Sequence, residues 1–305
     1  MVFHPTKLLL LYAKISPLLF LMPPCATQLL FNYSDFSGTN AKNIVLTGNA
    51  TFLGPFIQLT PDAPDNWGRA TYLETMRLWN EETEDLVSFT TTFSFIISSE
   101  GKANYSDGLT FFLASPGFPS PKPTDGAGLG LVSRIQLGDW KLLAQNKFVA
   151  VEFDTFRNDA WDPPAPVREP VVININSIRF QKSTAWYTKT KEDRTYSATI
   201  SYNSSTQILN VTFTGFNSDN TPMQQHLSSR VNLRQTLPAL VEFGFSSSTG
   251  LISELHVLCS WSFESGLQKS ARPYKNEAEG SMRKLVAGLI LAGCILINGS
   301  GSFVF

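Results

Sequence analysis

The chemistry of this chain concentrates in one short stretch, Val149-Ala150-Val151-Glu152-Phe153-Asp154-Thr155-Phe156-Arg157-Asn158-Asp159-Ala160-Trp161-Asp162-Pro163. If its first half is a strand, side chains alternate between faces, so Glu152 and Asp154 share one face while Val151 and Phe153 take the other. The loop that follows brings Asn158 and Asp162 close behind. Carboxylates gathered this tightly repel one another unless a cation or protons neutralise them. A hard divalent ion such as Ca²⁺ takes six to eight oxygens, including carboxylates, amide and backbone carbonyls and water. The plainer alternative is a solvated acidic turn, and spacing alone leaves both open.

Such a segment needs a scaffold, and the rest of the chain reads as strands. Phe89, Thr91, Phe93, Phe95 and Ile97 alternate with Thr90, Thr92, Ser94 and Ile96. Further β-branched or aromatic runs lie at Leu109–Leu113, Phe148–Phe156, Val171–Ile178, Tyr196–Tyr202, Ile208–Phe213, Leu240–Phe245 and Leu255–Phe263. Between them stand Gly, Asn, Asp and Pro, and no helical stripe of ten residues appears outside the termini. Many strands with polar turns and no intervening helices predict an all-β antiparallel sandwich or barrel. Low charge fits this picture: 16% charged residues against 43% hydrophobic, with 24 Lys+Arg and 25 Asp+Glu. That composition excludes wholesale disorder, and the balanced charge offers no basic stripe for nucleic acid.

Both ends read differently from the middle. Residues 1–27 are expected to be a secretory signal, with His4 and Lys7 before apolar runs and Cys25-Ala26-Thr27 as a small-residue exit. Five sequons, at Asn32, Asn49, Asn104, Asn203 and Asn210, predict a glycosylated surface. One β domain then covers 28–267, a polar juxtamembrane spacer 268–284, and a hydrophobic tail 285–305. The unbroken apolar part of that tail, Leu285–Ile297, is shorter than the roughly 20 residues that cross a bilayer. A marginal membrane span, a tail exchanged for a GPI anchor and the hydrophobic end of a secreted chain all stay open. The expected location is the cell surface or plasma membrane, otherwise the extracellular space. Of the three cysteines, Cys25 and Cys294 fall in the ends; Cys259 is expected to be buried and inert, with no disulfide inside the domain.

The acidic stretch resembles the metal-binding strand and loop of legume-type lectins, and the likeness continues along the chain. Gly68-Arg69-Ala70-Thr71-Tyr72, Leu78-Trp79, Ser88–Phe95, Ser106-Asp107-Gly108-Leu109-Thr110-Phe111-Phe112-Leu113, Leu129-Gly130-Leu131, Asn176-Ser177-Ile178, Gly244–Gly250 and Ser260-Trp261-Ser262-Phe263 follow in family order. The spacer and tail are similar to the juxtamembrane region of plant lectin-domain receptor kinases, without a kinase segment in the sequence. The resemblance implies a concanavalin-like antiparallel β-sandwich and partners that are glycans or glycoproteins, with homodimerisation through sheet edges. It implies Ca²⁺ held by Asp154, the Phe156 carbonyl, Asn158 and Asp162. A neighbouring transition metal, usually Mn²⁺, would use Glu152, Asp154, Asp162 and a histidine. Counting back from Asn176-Ser177-Ile178, that histidine position is Pro170, and the intervening loop is one residue long of the pattern. Glu169 is the only nearby oxygen source, so the second metal is expected to be weakened or lost.

For sugar binding, the resemblance implies Asp107 after a cis peptide as acceptor of two hydroxyls and Asn158 as donor. It also implies Ala127 as a main-chain donor, Phe156 as the apolar platform, and Leu251 and Ile252 as the variable specificity loop. A glycan on Asn104 would stand beside Asp107 and crowd the pocket. Two other classes compete. Sandwich glycosidases carry Glu-x-Asp-x-x-Glu with paired carboxylates flanking the bond, but after Glu152 and Asp154 the next acid position is Arg157. There is no Gly-x-Ser-x-Gly elbow, and of His4, His226 and His256 the last reads as a packed strand residue. The chain is therefore not expected to be an enzyme. The remaining alternative is a lectin-fold protein that has lost sugar binding and serves as scaffold, co-receptor or defence protein; Pro170, Leu251, Ile252 and the Asn104 sequon are its support.

Overall fold

The computed structural model describes residues 29–266, apart from 39–40, 161 and 165. The leader over 1–27 and the spacer and tail over 268–305 lie outside the described residues. No helix among the described residues is long and apolar enough to cross a membrane.

Two eight-stranded antiparallel sheets carry the chain. The first runs Pro222–Arg230, Ile208–Phe216, Thr195–Asn203, Ser88–Ser98, Leu255–Gly266, Phe56–Thr60 and Thr51–Leu53, with Leu30–Tyr33 also paired to Leu255–Gly266. The second runs Phe180–Ala185, Pro170–Ile175, Phe148–Asp154, Gly108–Ala114, Leu240–Ser248, Trp67–Tyr72 and Ile44–Gly48, with Met76–Arg77 beside Leu240–Ser248. All the strands expected from alternation are present. Eight further strands, Leu30–Tyr33, Ile44–Gly48, Thr51–Leu53, Phe56–Thr60, Trp67–Tyr72, Met76–Arg77, Phe180–Ala185 and Pro222–Arg230, are not among those the alternation predicts; most are short or polar. Two expected strands end early: the acidic strand stops at Asp154 and its neighbour at Ile175, because the chain there turns into loops held by side-chain bonds.

The sheets meet over an aromatic core. Phe93 and Phe95 of the first pack on Phe245 and Phe153 of the second, with ring centroids 4.7 and 4.9 Å apart. A second, smaller core lies on the outer face of the second sheet, where Phe112, Phe148 and Ala150 are covered by Phe118, Leu131, Val132 and Leu143 from the following loops. Arg69 holds that cover down. Its guanidinium is 4% exposed and donates to the carbonyls of Gly130 (2.8 Å), Phe118 (3.1 Å) and Pro119 (2.8 Å). It also lies 5.1 Å from the Phe118 ring centroid, and burial pulls its pKa down to about 10. The 118–131 loop is thereby fixed, and it carries Gly126 toward the acidic end of the sheet.

Cys259 departs from expectation. The register of Leu255–Gly266 on Ser88–Ser98 slips between Leu258 and Ser260, so Cys259 is the extra residue of a bulge and is half-buried. Partial burial still pushes its thiol up to about 11, well away from the reactive thiolate.

Candidate functional site

Alternation does to Phe148–Asp154 what the sequence requires. Val149, Val151 and Phe153 enter the main core; Phe148 and Ala150 enter the outer core; Glu152 and Asp154 continue that outer face beyond the reach of the apolar cover. Oxygens of Glu152, Asp154 and Asp162 lie within 4.8 Å of one another, and Glu152 and Asp154 are buried. Asp162 reaches them because its loop closes on itself: the Asp162 N–H donates to the Asn158 carbonyl at 3.0 Å, and the Asn158 N–H donates back to the Asp162 carboxylate. The Phe156 N–H donates to Asp154 Oδ1 at 2.7 Å, whereas Asp154 Oδ2 is buried without a partner. Burial raises all three carboxyls, and like charge adds to it: Glu152 rises to about 8 with Asp162 nearby, Asp154 well above its usual range with Glu152 and Asp162 nearby, and Asp162 to about 6 with Asp159 nearby. An unpartnered buried carboxylate oxygen amid like charges is the signature of a place for a cation.

The donor set fits Ca²⁺: Asp154, Asp162, Asn158 and the Phe156 carbonyl lie on one strand end and one closed loop. It does not fit a second, histidine-ligated metal. The register sets Val172 opposite Glu152 and Val171 opposite Phe153, so Pro170 comes next to Asp154 on the acidic face and offers it no ligand atom. Glu169 does not replace the histidine. Its oxygens accept from the Tyr105 hydroxyl (2.5 Å) and the Thr188 hydroxyl (2.7 Å). Glu152 instead accepts from the buried amide of Asn174.

Asp107 lies against this centre. The Ser106–Asp107 peptide is cis. The Asp107 carbonyl accepts from the Thr155 N–H at 3.1 Å, and Gly108 pairs with Asp154. The side chain is 5% exposed, Oδ2 has no hydrogen-bond partner, and burial pushes the carboxyl up to about 7. Two glycines make room for it. A Cβ on Gly126 would fall 1.8 Å from Asp107 Oδ2, and one on Gly250 would reach 3.4 Å. The sequence reading had placed the main-chain donor at Ala127. That N–H instead donates to Asp125 Oδ1 at 3.2 Å, capping the turn Gly126–Gly128. Gly126 and Gly250 are the residues that touch the carboxylate, and their only sequence signal was a small residue in each of two separate loops.

The loop with Leu251 and Ile252 is anchored from below. Glu254 and His256 are fully buried; His256 Nε2 lies 3.0 Å from Glu254 Oε1, which also accepts from the Thr155 hydroxyl. The Ser106 hydroxyl donates to the Ile252 carbonyl at 2.8 Å. Leu251 projects to solvent, 90% exposed, and Phe156 is partly exposed. Phe156 and Ile252 share a cavity of about 460 Å³ with Asn104 and Tyr105.

The legume lectin domain profile matches residues 28–279. The chain belongs to the legume lectin family. It is 34% identical to Lectin 8 of Medicago truncatula over 248 residues, covering 78% of this chain and 87% of that protein. Identity to Agglutinin-2 of Cladrastis kentukea is 36% over 255 residues, 80% of this chain and 83% of the other. Among solved structures, the lectin from Bauhinia forficata in complex with GalNAc superposes with TM-score 0.68 at 30% identity, covering 80% of this chain and all of that one. The fold is thus the concanavalin-like sandwich, and this legume lectin is a non-enzymatic carbohydrate-binding protein. Members of the family generally bind Ca²⁺ and a transition metal and are often oligomeric.

Proposed function

We propose that this legume lectin recognises glycans in a Ca²⁺-dependent manner at a shallow site around Asp107 and Asn158, and binds one cation rather than two. The observation that carries this is the pair of buried carboxylate oxygens without partners, Asp107 Oδ2 and Asp154 Oδ2, the first in the residue just before the strand Gly108–Ala114 and the second at the end of the strand that pairs with it. Asp107 accepts sugar hydroxyls through its carboxylate, which Gly126 and Gly250 adjoin. Asn158 donates from a loop whose shape depends on Asp162, Phe156 offers its exposed ring to the pyranose face, and Leu251 and Ile252 border the site. Ca²⁺, when bound, supplies the positive charge that the carboxylates of Asp154 and Asp162 need in order to remain ionised side by side.

The chain is proposed to be exported and to act at the cell surface or outside the cell, attached through its hydrophobic tail, with glycoproteins as partners and homodimers forming through sheet edges. The leader and the five sequons support export. Asn32, Asn49, Asn104 and Asn210 are exposed and Asn203 is half-buried, capping a turn through its Oδ1. A glycan array probed with and without chelator, and again with Asp107→Ala, tests the binding reading. Binding that survives chelation or Asp107→Ala would sink it.

A further inference from the structure

Of the residues proposed to hold or border the first sugar, Phe156 and Ile252 also line the 460 Å³ cavity. Arg157 and Arg168 line it as well. A saccharide seated at Asp107 and Asn158 that continues across Phe156 would place its next unit there.

The hydrogen-bonding capacity of this cavity is one-sided. Formal charges balance, since Asp159 and Glu169 also line it. Both oxygens of Glu169, however, already accept from Tyr105 and Thr188. Asp159 is 88% exposed and touches Arg157 through a single nitrogen at 3.0 Å, and so exposed a pair is weakened by solvent screening. On the donor side, Arg157 Nε is buried without any partner. The exposed Arg168 has no ion pair or hydrogen bond among the described residues. A buried donor left unpaired carries its desolvation cost until an acceptor arrives. Guanidinium groups match planar or tetrahedral anionic oxygens with paired N–H donors, which neutral hydroxyls match less well.

We infer that this cavity is an extended subsite for an anionic saccharide unit, one bearing a carboxylate or a sulfate ester, attached to the sugar held at Asp107. This inference rests on the proposed sugar site. It differs from it in naming the second unit and the residues, Arg157 and Arg168, that select its charge. Asn104 lines the same cavity and is a sequon, so a glycan there would narrow the subsite from its open side.

The test is an array of paired di- to tetrasaccharides in the galacto and manno/gluco series, each as neutral, hexuronate and 6-sulfated forms. It is read with the secreted full chain and with Asn104→Gln, each with and without Arg168→Gln, followed by calorimetry on the best pair. The expected result is roughly tenfold tighter binding of an anionic form than of its neutral partner. That advantage should shrink at about 0.5 M salt and vanish in Arg168→Gln, while neutral binding stays unchanged. The hexuronate and sulfated arms tell which anion the subsite takes. An advantage seen only with Asn104→Gln supports the subsite and assigns its closure to the glycan. Equal or weaker binding of the anionic forms in every background, or an advantage that survives Arg168→Gln combined with Arg157→Gln, overturns the inference while leaving the primary site standing. Absence of binding to the neutral forms as well overturns both.

Discussion

One face of one strand holds two regions that obey opposite rules. At the start of Phe148–Asp154, Phe148 and Ala150 are sealed beneath Phe118, Leu131 and Val132; four residues later Glu152 and Asp154 are buried just as deeply without apolar cover. The first end gains stability from burial. The second end loses it, because carboxylates are desolvated beside one another, and that cost is what a bound cation relieves. Stability and ligand capacity are therefore separated along a single strand by about 13 Å of backbone.

The largest effect that should expose this division comes from the apolar end. Phe148→Ala empties a fully buried aromatic site and should cost roughly 3–5 kcal/mol in denaturant unfolding. Native molecules of the variant should bind glycan and Ca²⁺ as before. Weakened affinity at full native population would mean that the two ends are coupled. Next in size is Asp154→Asn at the acidic end. Removing a charged oxygen from the cation's place should lower glycan affinity by about 100-fold, near 3 kcal/mol. The same substitution should leave the chelated protein as stable or more so, since it deletes a repelling charge. Opposite signs in the two assays would separate function from folding; a matching loss of stability would erase the contrast.

Acidity offers a third and smaller lever. In the cation-free protein the folded-state pKa values of Glu152, Asp154 and Asp162 are raised above their unfolded values. The folded state thus holds protons more tightly than the unfolded state. This contribution is fully present at low pH and lost as pH rises through the folded pKa values. Chelated protein should lose stability steadily between pH 5 and pH 8, and saturating Ca²⁺ should flatten that slope. Thermal melts across the pH range, with and without Ca²⁺, read it directly; a chelated protein whose stability climbs over this range would contradict the raised values.

These contrasts were partly legible before any fold was known, and the physical reason differs from case to case. Period-two alternation placed Glu152 and Asp154 correctly because a strand gives no other choice of face. The missing histidine at Pro170 was legible only through the family resemblance, by counting back from Asn176-Ser177-Ile178; the register then set Pro170 beside Asp154. What could not be read were approaches of main chain to side chain. Gly126 and Gly250 close on Asp107 from loops more than 100 residues apart, whereas the resemblance pointed to Ala127, whose N–H donates to Asp125. The half-exposed Cys259 was misplaced because a bulge shifts register without a sequence marker. The cavity with Arg157 and Arg168 was invisible since it arises where the segments around Asn104, Phe156, Arg168 and Ile252 converge.

The smallest expected effect is the one that sharpens the comparison most. Pro170 opens its strand, a position proline tolerates because it need not donate to the ladder, and the register sets its side of the strand toward Asp154. Pro170→His would restore an imidazole to the acidic face. Metal analysis after dialysis against Mn²⁺ and Ca²⁺ should then rise from one ion per chain to two. Glycan affinity should change by less than about threefold, because Asp107 and Asn158 already have their positions from Gly126, Gly250 and the Asn158–Asp162 loop. If the wild-type chain itself holds two ions, Glu152, Asp154 and Asp162 suffice without a nitrogen ligand, and the single-cation reading is wrong. If the variant still holds one, the longer loop before Pro170 or the Asn174 amide on Glu152 keeps the acidic face closed to a second metal. Asn174→Asp combined with Pro170→His then decides between those two causes.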